Sequence, residues 1–590
     1  MRFFPRPLMT TLMATLKAPL MMAALLIAPA LFITALSITA LSSAALAQEG
    51  APPTPESDAA AAPLDLLIHG GPIHTGLDGS SPQSVGVRDG RIVHVGPLAD
   101  GRTLAGPDTT TLDLKGAALF PGFTDAHAHL KGIGERERTL TLANAGSLDS
   151  LLDRLKQYHA AHGDKPVITG RGWLETHWPE GRMPSRFDLD RAVADTPVLL
   201  TRADGHAMVV NTAALDAAGI DRTTGDPRGG TIVRNRLGEA TGLLIDSAMG
   251  LMDPLLPEET PDTLKRDLGT GAELYARRGW TGIHNMSVSM AGVAAMEALD
   301  DAGALPIRVH NAVDRQFAET LFDTGARRSE SGRVVTRAVK LYMDGALGSR
   351  GAALLSPYAD GDTSGLMLSE PGATKALMRR ARDEGIQLAI HAIGDRANRV
   401  ALDWVSDVLG QNPAMGHRWR IEHAQIIHGD DLPRFSRLGL IPSMQPSHAI
   451  GDLHFAPDRL GRDRLDRAYR WADLLASGTI IAGGSDAPVE KGSPLIEFYA
   501  AITREDTDGF QGEGWHPEQA VTRQQALKMF TLWPARAAFA DDRRGTIETG
   551  KQADLTAFSK DLMTAPPADI LDAEAVLTVV DGRIVHSMLE

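Results

Sequence analysis

The chain has 590 residues and no cysteine, and it sets 74 acidic against 59 basic residues for a net charge of −15. The missing cysteine excludes disulfide staples, thiolate nucleophiles, iron–sulfur clusters and thiolate-bound zinc, so any metal must sit on His, carboxylate, carbonyl or modified lysine. The acidic balance argues against nucleic acid or an anionic membrane as partner, because both need a positive field.

The charge is unevenly placed. Residues 1–47 hold Arg2, Arg6 and Lys17 and no acid, so the remainder carries 56 basic against 74 acidic residues. An uncharged run from Ala18 to Ala47 follows, and it ends in Ala45-Leu46-Ala47. Positive start, apolar centre and small-x-small end read as a secretory signal peptide over 1–47, with export most simply to a bacterial periplasm. An uncleaved membrane anchor is the alternative, since the run is long enough to span a bilayer. Pro19, Pro29 and the small residues near the end favour cleavage, which leaves no stable membrane span. The Pro-rich segment 48–63 reads as a flexible linker.

From Leu64 the texture changes to short β-type runs: Leu66 to His69, Ser84 to Val87, Arg91 to Val95 and Thr110 to Leu114. Asp89-Gly90 and Gly70-Gly71 punctuate them as hairpin signals. The end of the chain repeats this texture around Asp581-Gly582, and Val87 to His94 is nearly the same hairpin as Val579 to His586. Two such pieces imply one small β domain assembled from both ends, with parts at 64–121 and 543–590. Between them, over 122–542, apolar β runs alternate with helical stretches, such as Thr374 to Glu384 before Gln387 to Ala392. This alternation argues an α/β fold with a parallel sheet, open or closed into a barrel.

The chemistry-bearing residues sit at the ends of apolar runs. His127 and His129, in Phe120-Pro121-Gly122-Phe123-Thr124-Asp125-Ala126-His127-Ala128-His129, share one face of a strand and present two imidazoles to one metal. Lys340, His391, His423 and Asp486 stand in the same context. Each alone has a bland reading, as a packed His, a capping Asp or a solvated Lys. Their spacing decides jointly. A (β/α)₈ TIM barrel spends about 31 residues per strand–helix unit and carries its active site at the C-terminal strand ends. His391 to His423 is 32 residues, His423 to Asp486 is 63 and Lys340 to His391 is 51. This series matches strands four, five, six and eight when His127 and His129 close strand one. His129 to Lys340 is 211 residues, which predicts a large insertion at about 130–260. His206, in an Asp-Gly-His turn of that insertion, is a candidate for contact with the substrate carbonyl or a structural loop His. His448 stands similarly after strand seven. Trp173, Trp178 and Tyr342 are candidates for an apolar pocket, with ordinary aromatic core contacts as the alternative, and Arg350 is a substrate-carboxylate candidate or a surface residue.

At this point the chain resembles the amidohydrolase superfamily, in the YtcJ-like branch that includes N-substituted formamide deformylases. The resemblance rests on Pro-Gly-Phe-x-Asp-x-His-x-His at 121–129, Lys-Leu-Tyr-Met-Asp-Gly-Ala-Leu-Gly-Ser-Arg at 340–350 and Ile-His-Ala-Ile-Gly-Asp at 390–395. It rests equally on Glu-His-Ala-Gln at 422–425, Gln-Pro-Ser-His at 445–448 and Gly-Ser-Asp-Ala-Pro at 484–488. It implies a metal-dependent hydrolase of amide, N-acyl or N-formyl C–N bonds in a small-molecule substrate, working by metal-activated hydroxide. His127 and His129 are implied to hold one divalent ion, His391 and His423 a second, with Lys340 bridging them as a carbamate. Asp486 is implied to touch the metal and shuttle the proton, and His206 to assist. Zinc is the expected metal, with manganese or iron as alternatives, and a single ion is the rival to a pair. Deamination or ester and lactone hydrolysis on the same site is the alternative reaction, and a catalytically inactive secreted binding protein the alternative of another class. The branch commonly has an acidic or amide residue where this chain has Leu174, which bears on the substrate rather than on the metal. The oligomeric state stays open between monomer and homodimer.

Overall fold

The computed structural model describes residues 62–589 apart from 78, 80, 144, 164, 257, 411–415 and 513–514. The expected signal peptide and most of the linker lie outside the described residues. Among the described residues no helix is long and apolar enough to cross a membrane.

Eight parallel strands form the centre: β1 (Phe123–Ala128), β2 (Trp280–Val288), β3 (Arg308–Asp314), β4 (Val334–Tyr342), β5 (Gln387–Ala392), β6 (Arg420–His423), β7 (Ile441–Met444) and β8 (Ala482–Gly483). Each pairs with the next in sequence. Beyond β8 the chain meets β1 again: the Asp486 N–H donates to the His127 carbonyl at 2.6 Å, and the His129 N–H donates to the Ala487 carbonyl at 2.8 Å. The result is a nearly closed TIM barrel. Its strands are buried on both faces because helices cover the outside and side chains fill the inside; β1 and β5 are buried along their whole length.

The long interval between β1 and β2 holds a separate six-stranded sheet that runs from Leu140–Thr141 to Ala240–Asp246. It has its own apolar core, which includes Leu151, Leu155, Trp173, Leu189 and Leu200. The helix Pro261–Arg278 returns the chain to the barrel, started by Thr260 as N-cap and stopped by Gly279 at φ 96°. That positive φ is the left-handed C-terminal stop that glycine adopts without strain.

Both ends of the described chain build a sandwich of two four-stranded sheets. One sheet is Arg91–Gly96, Ser84–Arg88, Leu66–His69 and Thr110–Asp113; the other is Arg583–Ser587, Ala575–Val580, Leu555–Phe558 and Ala118–Pro121. Their inner faces share one core with Ile68, Val85, Leu555, Leu577 and Val579. The two similar hairpins meet at their turns, where a Cβ on Gly582 would stand 2.9 Å from the Gly90 Cα. Asp89, Gly90, Asp581 and Gly582 all have positive φ, the geometry of a two-residue hairpin turn. Gly70-Gly71, expected to mark a hairpin, does not. The chain runs on there past Asp113 and Ala117, and a Cβ on Gly71 would lie 1.9 Å from the Ala117 carbonyl oxygen. Close approach, not a tight turn, requires glycine at that point.

Candidate metal centre

The C-terminal ends of the barrel strands surround a cavity of about 500 Å³. His127, His129, Lys340, His391, His423 and Asp486 all line it, and so do His206 and His448. A regular barrel brings them together because strand ends far apart in sequence share one rim.

Asp486 is the hub. Its Oδ1 lies 3.1 Å from His129 Nε2 and 3.4 Å from His127 Nε2, and its Oδ2 lies 3.7 Å from His448 Nε2. Two groups of donors lie within 4.8 Å of one another, His127 with His129 and Asp486, and His423 with His448 and Asp486. His391 belongs to neither; its Nε2 stands 3.6 Å from Asp344 Oδ1. Asp486 and His423 adopt φ of 58° and 70°, a strained left-handed backbone of the kind concentrated at functional sites.

Hydrogen bonds behind the cavity orient the rings. His127 donates from Nδ1 to Glu422 Oε2 at 2.6 Å, which leaves Nε2 facing inward. His423 donates from Nδ1 to Gln445 Oε1 at 2.9 Å; the Gln445 amide is fixed in turn by donating to the Ser443 carbonyl at 3.2 Å. Outer partners of this kind set tautomer and ring direction for metal binding. Glu422 is held by Arg420, whose Nη2 donates to its Oε2 at 2.9 Å. Burial pushes the Glu422 carboxyl up, but Arg420 and His127 overcome it and hold it down at about 2.

The electrostatics fit a cation. Burial, and next the Lys340 charge, pull His127 down to about 4, and burial pulls His391 and His423 well below the ordinary imidazole value, so the rings are neutral and free to ligate. Burial would raise Asp486, yet the surrounding imidazoles hold it well below the usual carboxylate range. Burial lowers Lys340 to about 8. Its Nζ, 3.4 Å from His127 Nε2, has no carboxylate within 4.0 Å among the described residues. His391 Nε2 and His448 Nε2 are buried without hydrogen-bond partners among the described residues. Unsatisfied buried donors and acceptors cost about 1–3 kcal/mol each, and a divalent ion satisfies such a set together. The residues present therefore fit a divalent metal.

Residues of the inserted segment also line the cavity, among them Arg171, Leu174, Asp204 and His206. His206 donates from Nδ1 to Asp246 Oδ1 at 2.8 Å, and its ring centroid lies 5.9 Å from that of His391. Burial would lower His206, but Asp246 and Asp204 raise it above the ordinary value. Tyr342 lines the cavity and shares a hydrogen bond with Ser287. Leu174, the departure from the branch pattern, is itself on the cavity wall.

Three pocket candidates fall elsewhere. Trp173 and Trp178 are in the core of the inserted sheet, and their indole N–H groups donate to the Leu200 and Ala145 carbonyls at 2.8 and 2.6 Å. Arg350 pairs with Asp360 at 2.8 Å outside the cavity. Residues with no assigned role in sequence also line the cavity. Arg171 donates from Nη2 to the Ala203 carbonyl at 3.1 Å, leaves its Nε without a partner and has no carboxylate within 4.0 Å among the described residues. Glu490 and Asp452 stand near His448, and burial raises both, Asp452 to about 6.

Comparison with known proteins agrees with this geometry. The amidohydrolase family model matches residues 110–586. The chain is 35% identical over 536 residues to the putative amidohydrolase YtcJ of Bacillus subtilis, covering 89% of this chain and 99% of that one. It is 28% identical to the N-substituted formamide deformylase of Arthrobacter pascens, covering 88% and 97%. The crystal structure of a metal-dependent hydrolase from Pyrococcus horikoshii superposes with a TM-score of 0.70 at 26% identity, over 85% of this chain and 99% of that one. The chain belongs to the amidohydrolase family and is a metal-dependent hydrolase of carbon–nitrogen bonds.

Proposed function

We propose that the protein hydrolyses the amide bond of an N-acyl or N-formyl compound at a zinc centre. One observation carries this reading: a buried lysine with no carboxylate within 4.0 Å among the described residues stands among inward-facing imidazoles around a shared carboxylate. His127, His129 and Asp486 would hold one ion, and His391 and His423 a second, with His448 beside them. Lys340, as a carbamate, would offer an anionic oxygen to both. When bound, the metal supplies Lewis acidity toward the scissile carbonyl and brings the pKa of a water toward neutral.

The chain's own residues do the rest. Asp486 takes the proton released by the attacking water and returns it to the leaving nitrogen, as a general base and then acid. His206, its Nδ1 held by Asp246, turns Nε2 to the cavity and donates a hydrogen bond to the carbonyl oxygen as negative charge develops there. Arg171 binds an anionic group of the substrate, such as a carboxylate, while Leu174 and Leu347 give the acyl side an apolar wall. The leader at residues 1–47 directs the enzyme out of the cytoplasm.

The test is metal analysis of the purified protein together with a substrate panel. Stoichiometric zinc, an added mass of one CO₂ on the Lys340 peptide and amine release from N-formyl and N-acyl substrates are expected, with loss on chelation and recovery on adding Zn²⁺. A protein without a divalent ion, or one that turns over lactones or aminopurines in preference to amides, overturns the reading.

A further inference from the structure

At the opposite end of the barrel wall from the metal centre, a second cavity of about 280 Å³ lies beside the N-terminal halves of β3 and β4. Val309, Val335 and Arg337 form its floor. The turn leading into β4, with Arg327 and Arg328 paired to Thr336 and Val335, makes one side, and Ala538–Arg544 makes the other. Six arginines line it, Arg327, Arg328, Arg333, Arg337, Arg543 and Arg544, and no carboxylate does. In a chain with net charge −15 this concentration of positive charge is a local feature.

Three of the six have counter-charges: Arg327 with Glu297 at 2.5 Å, Arg333 with Asp581 at 3.7 Å and Arg543 with Asp542 at 3.5 Å. The other three, Arg328, Arg337 and Arg544, have no carboxylate within 4.0 Å among the described residues. Arg337 is held flat on Phe539, with its guanidinium carbon 3.6 Å from the ring centroid. The Nε–H groups of Arg333, Arg337 and Arg544 are buried without a hydrogen-bond acceptor among the described residues. Burial, then the neighbouring Arg308, pulls Arg544 down to about 10. Three unsatisfied donors, and three guanidinium groups with no carboxylate within 4.0 Å among the described residues, form a positive cluster that an anion stabilises.

We propose that this cavity is an anion site for a compact phosphate-class ligand, gripped by Arg337 and Arg544 from within and by Arg328 at the mouth. Guanidinium forks match phosphate oxygens in pairs, and Arg337 is already fixed in one orientation by its ring, so little freedom is lost on binding. The bound anion would tie the β3–β4 wall to the segment that leads into the C-terminal strands of the sandwich.

The test is calorimetric titration of the metal-loaded protein with inorganic pyrophosphate and with glycerol phosphate, alongside the Arg328→Ala/Arg337→Ala double variant. Both substituted side chains lie away from the metal centre, so the variant keeps its metal content and hydrolytic rate. Saturable binding of either probe, weakened at least about tenfold in the variant and falling steeply with salt, supports the site. Tighter pyrophosphate points to a free inorganic anion, and tighter glycerol phosphate to an esterified one. Absence of saturable binding up to about 10 mM, or equal affinity in the variant (as phosphate on the active-site metal would show), overturns it.

Discussion

His127 and Glu422 are 295 residues apart in sequence and share a 2.6 Å hydrogen bond inside the barrel, with His127 donating. The bond joins strand one to strand six and fixes which ring nitrogen of His127 faces the cavity. In the proposed metal centre Glu422 is thus a positioning residue, which would act on the metal through His127. Glu422→Gln is expected to weaken zinc affinity by about 10–100-fold, read by competition with a chromogenic chelator. It also leaves the buried Arg420 guanidinium short of a charge partner, so thermal stability falls too, and Glu422→Asp should recover part of both. Unchanged zinc affinity in Glu422→Gln would refute the positioning role.

Among the described residues Asp486 is the one carboxylate within 4.0 Å of three imidazoles. Asp486→Asn is expected to cut kcat by about 10²–10⁴, the worth of a positioned proton-transfer group, while the circular dichroism spectrum stays native. Full activity of that variant contradicts the assigned proton shuttle.

The His206–Asp246 pair predicts a pH dependence. Burial opposes the charged ring, but Asp246 and Asp204 raise its folded-state value above the ordinary 6.5. A raised histidine contributes stability fully below its unfolded value, and that stability is lost as pH rises through the folded one. The native protein should therefore exceed Asp246→Asn by up to about 1.5–3 kcal/mol in mildly acidic solution, with the gap narrowing as pH rises above 6.5. Denaturant unfolding across that range measures it. A gap that widens with pH counts against a charged His206.

Arg171 is assigned to the substrate's anionic group, and its removal should separate binding from chemistry. Arg171→Met is expected to raise KM about 10–100-fold for an N-acyl amino acid, from the loss of one charge-assisted bond, and to leave KM for a neutral N-acyl amine unchanged. Equal effects on both substrates would make Arg171 structural.

Much of the centre was legible because barrels are periodic. His391, His423 and Asp486 follow apolar runs at multiples of one strand–helix unit, and that spacing predicts a common rim. The hairpins at 87–94 and 579–586 were legible for a local reason, the Asp-Gly turn between alternating apolar residues. Gly70-Gly71 carries a similar signal for another cause, since close backbone approach and tight turns both demand glycine and sequence does not distinguish them. The inserted sheet breaks the barrel's period, so the sequence left both structural and functional readings open for His206, Trp173 and Trp178. The sheet aims His206 at the cavity and keeps both tryptophans in its own core.

The absence of cysteine determined that any metal here is held by imidazole, carboxylate, carbonyl or modified lysine. Local sequence could do so because ligand chemistry belongs to the side chain itself. Tertiary structure alone decided that Glu422 and Gln445 orient the rings and that Leu174 and Arg171 share the cavity wall. It alone set Arg328, Arg337 and Arg544 around a second cavity. Those relations depend on distances between residues remote in the chain, and such distances are set by barrel closure, not by neighbours in sequence.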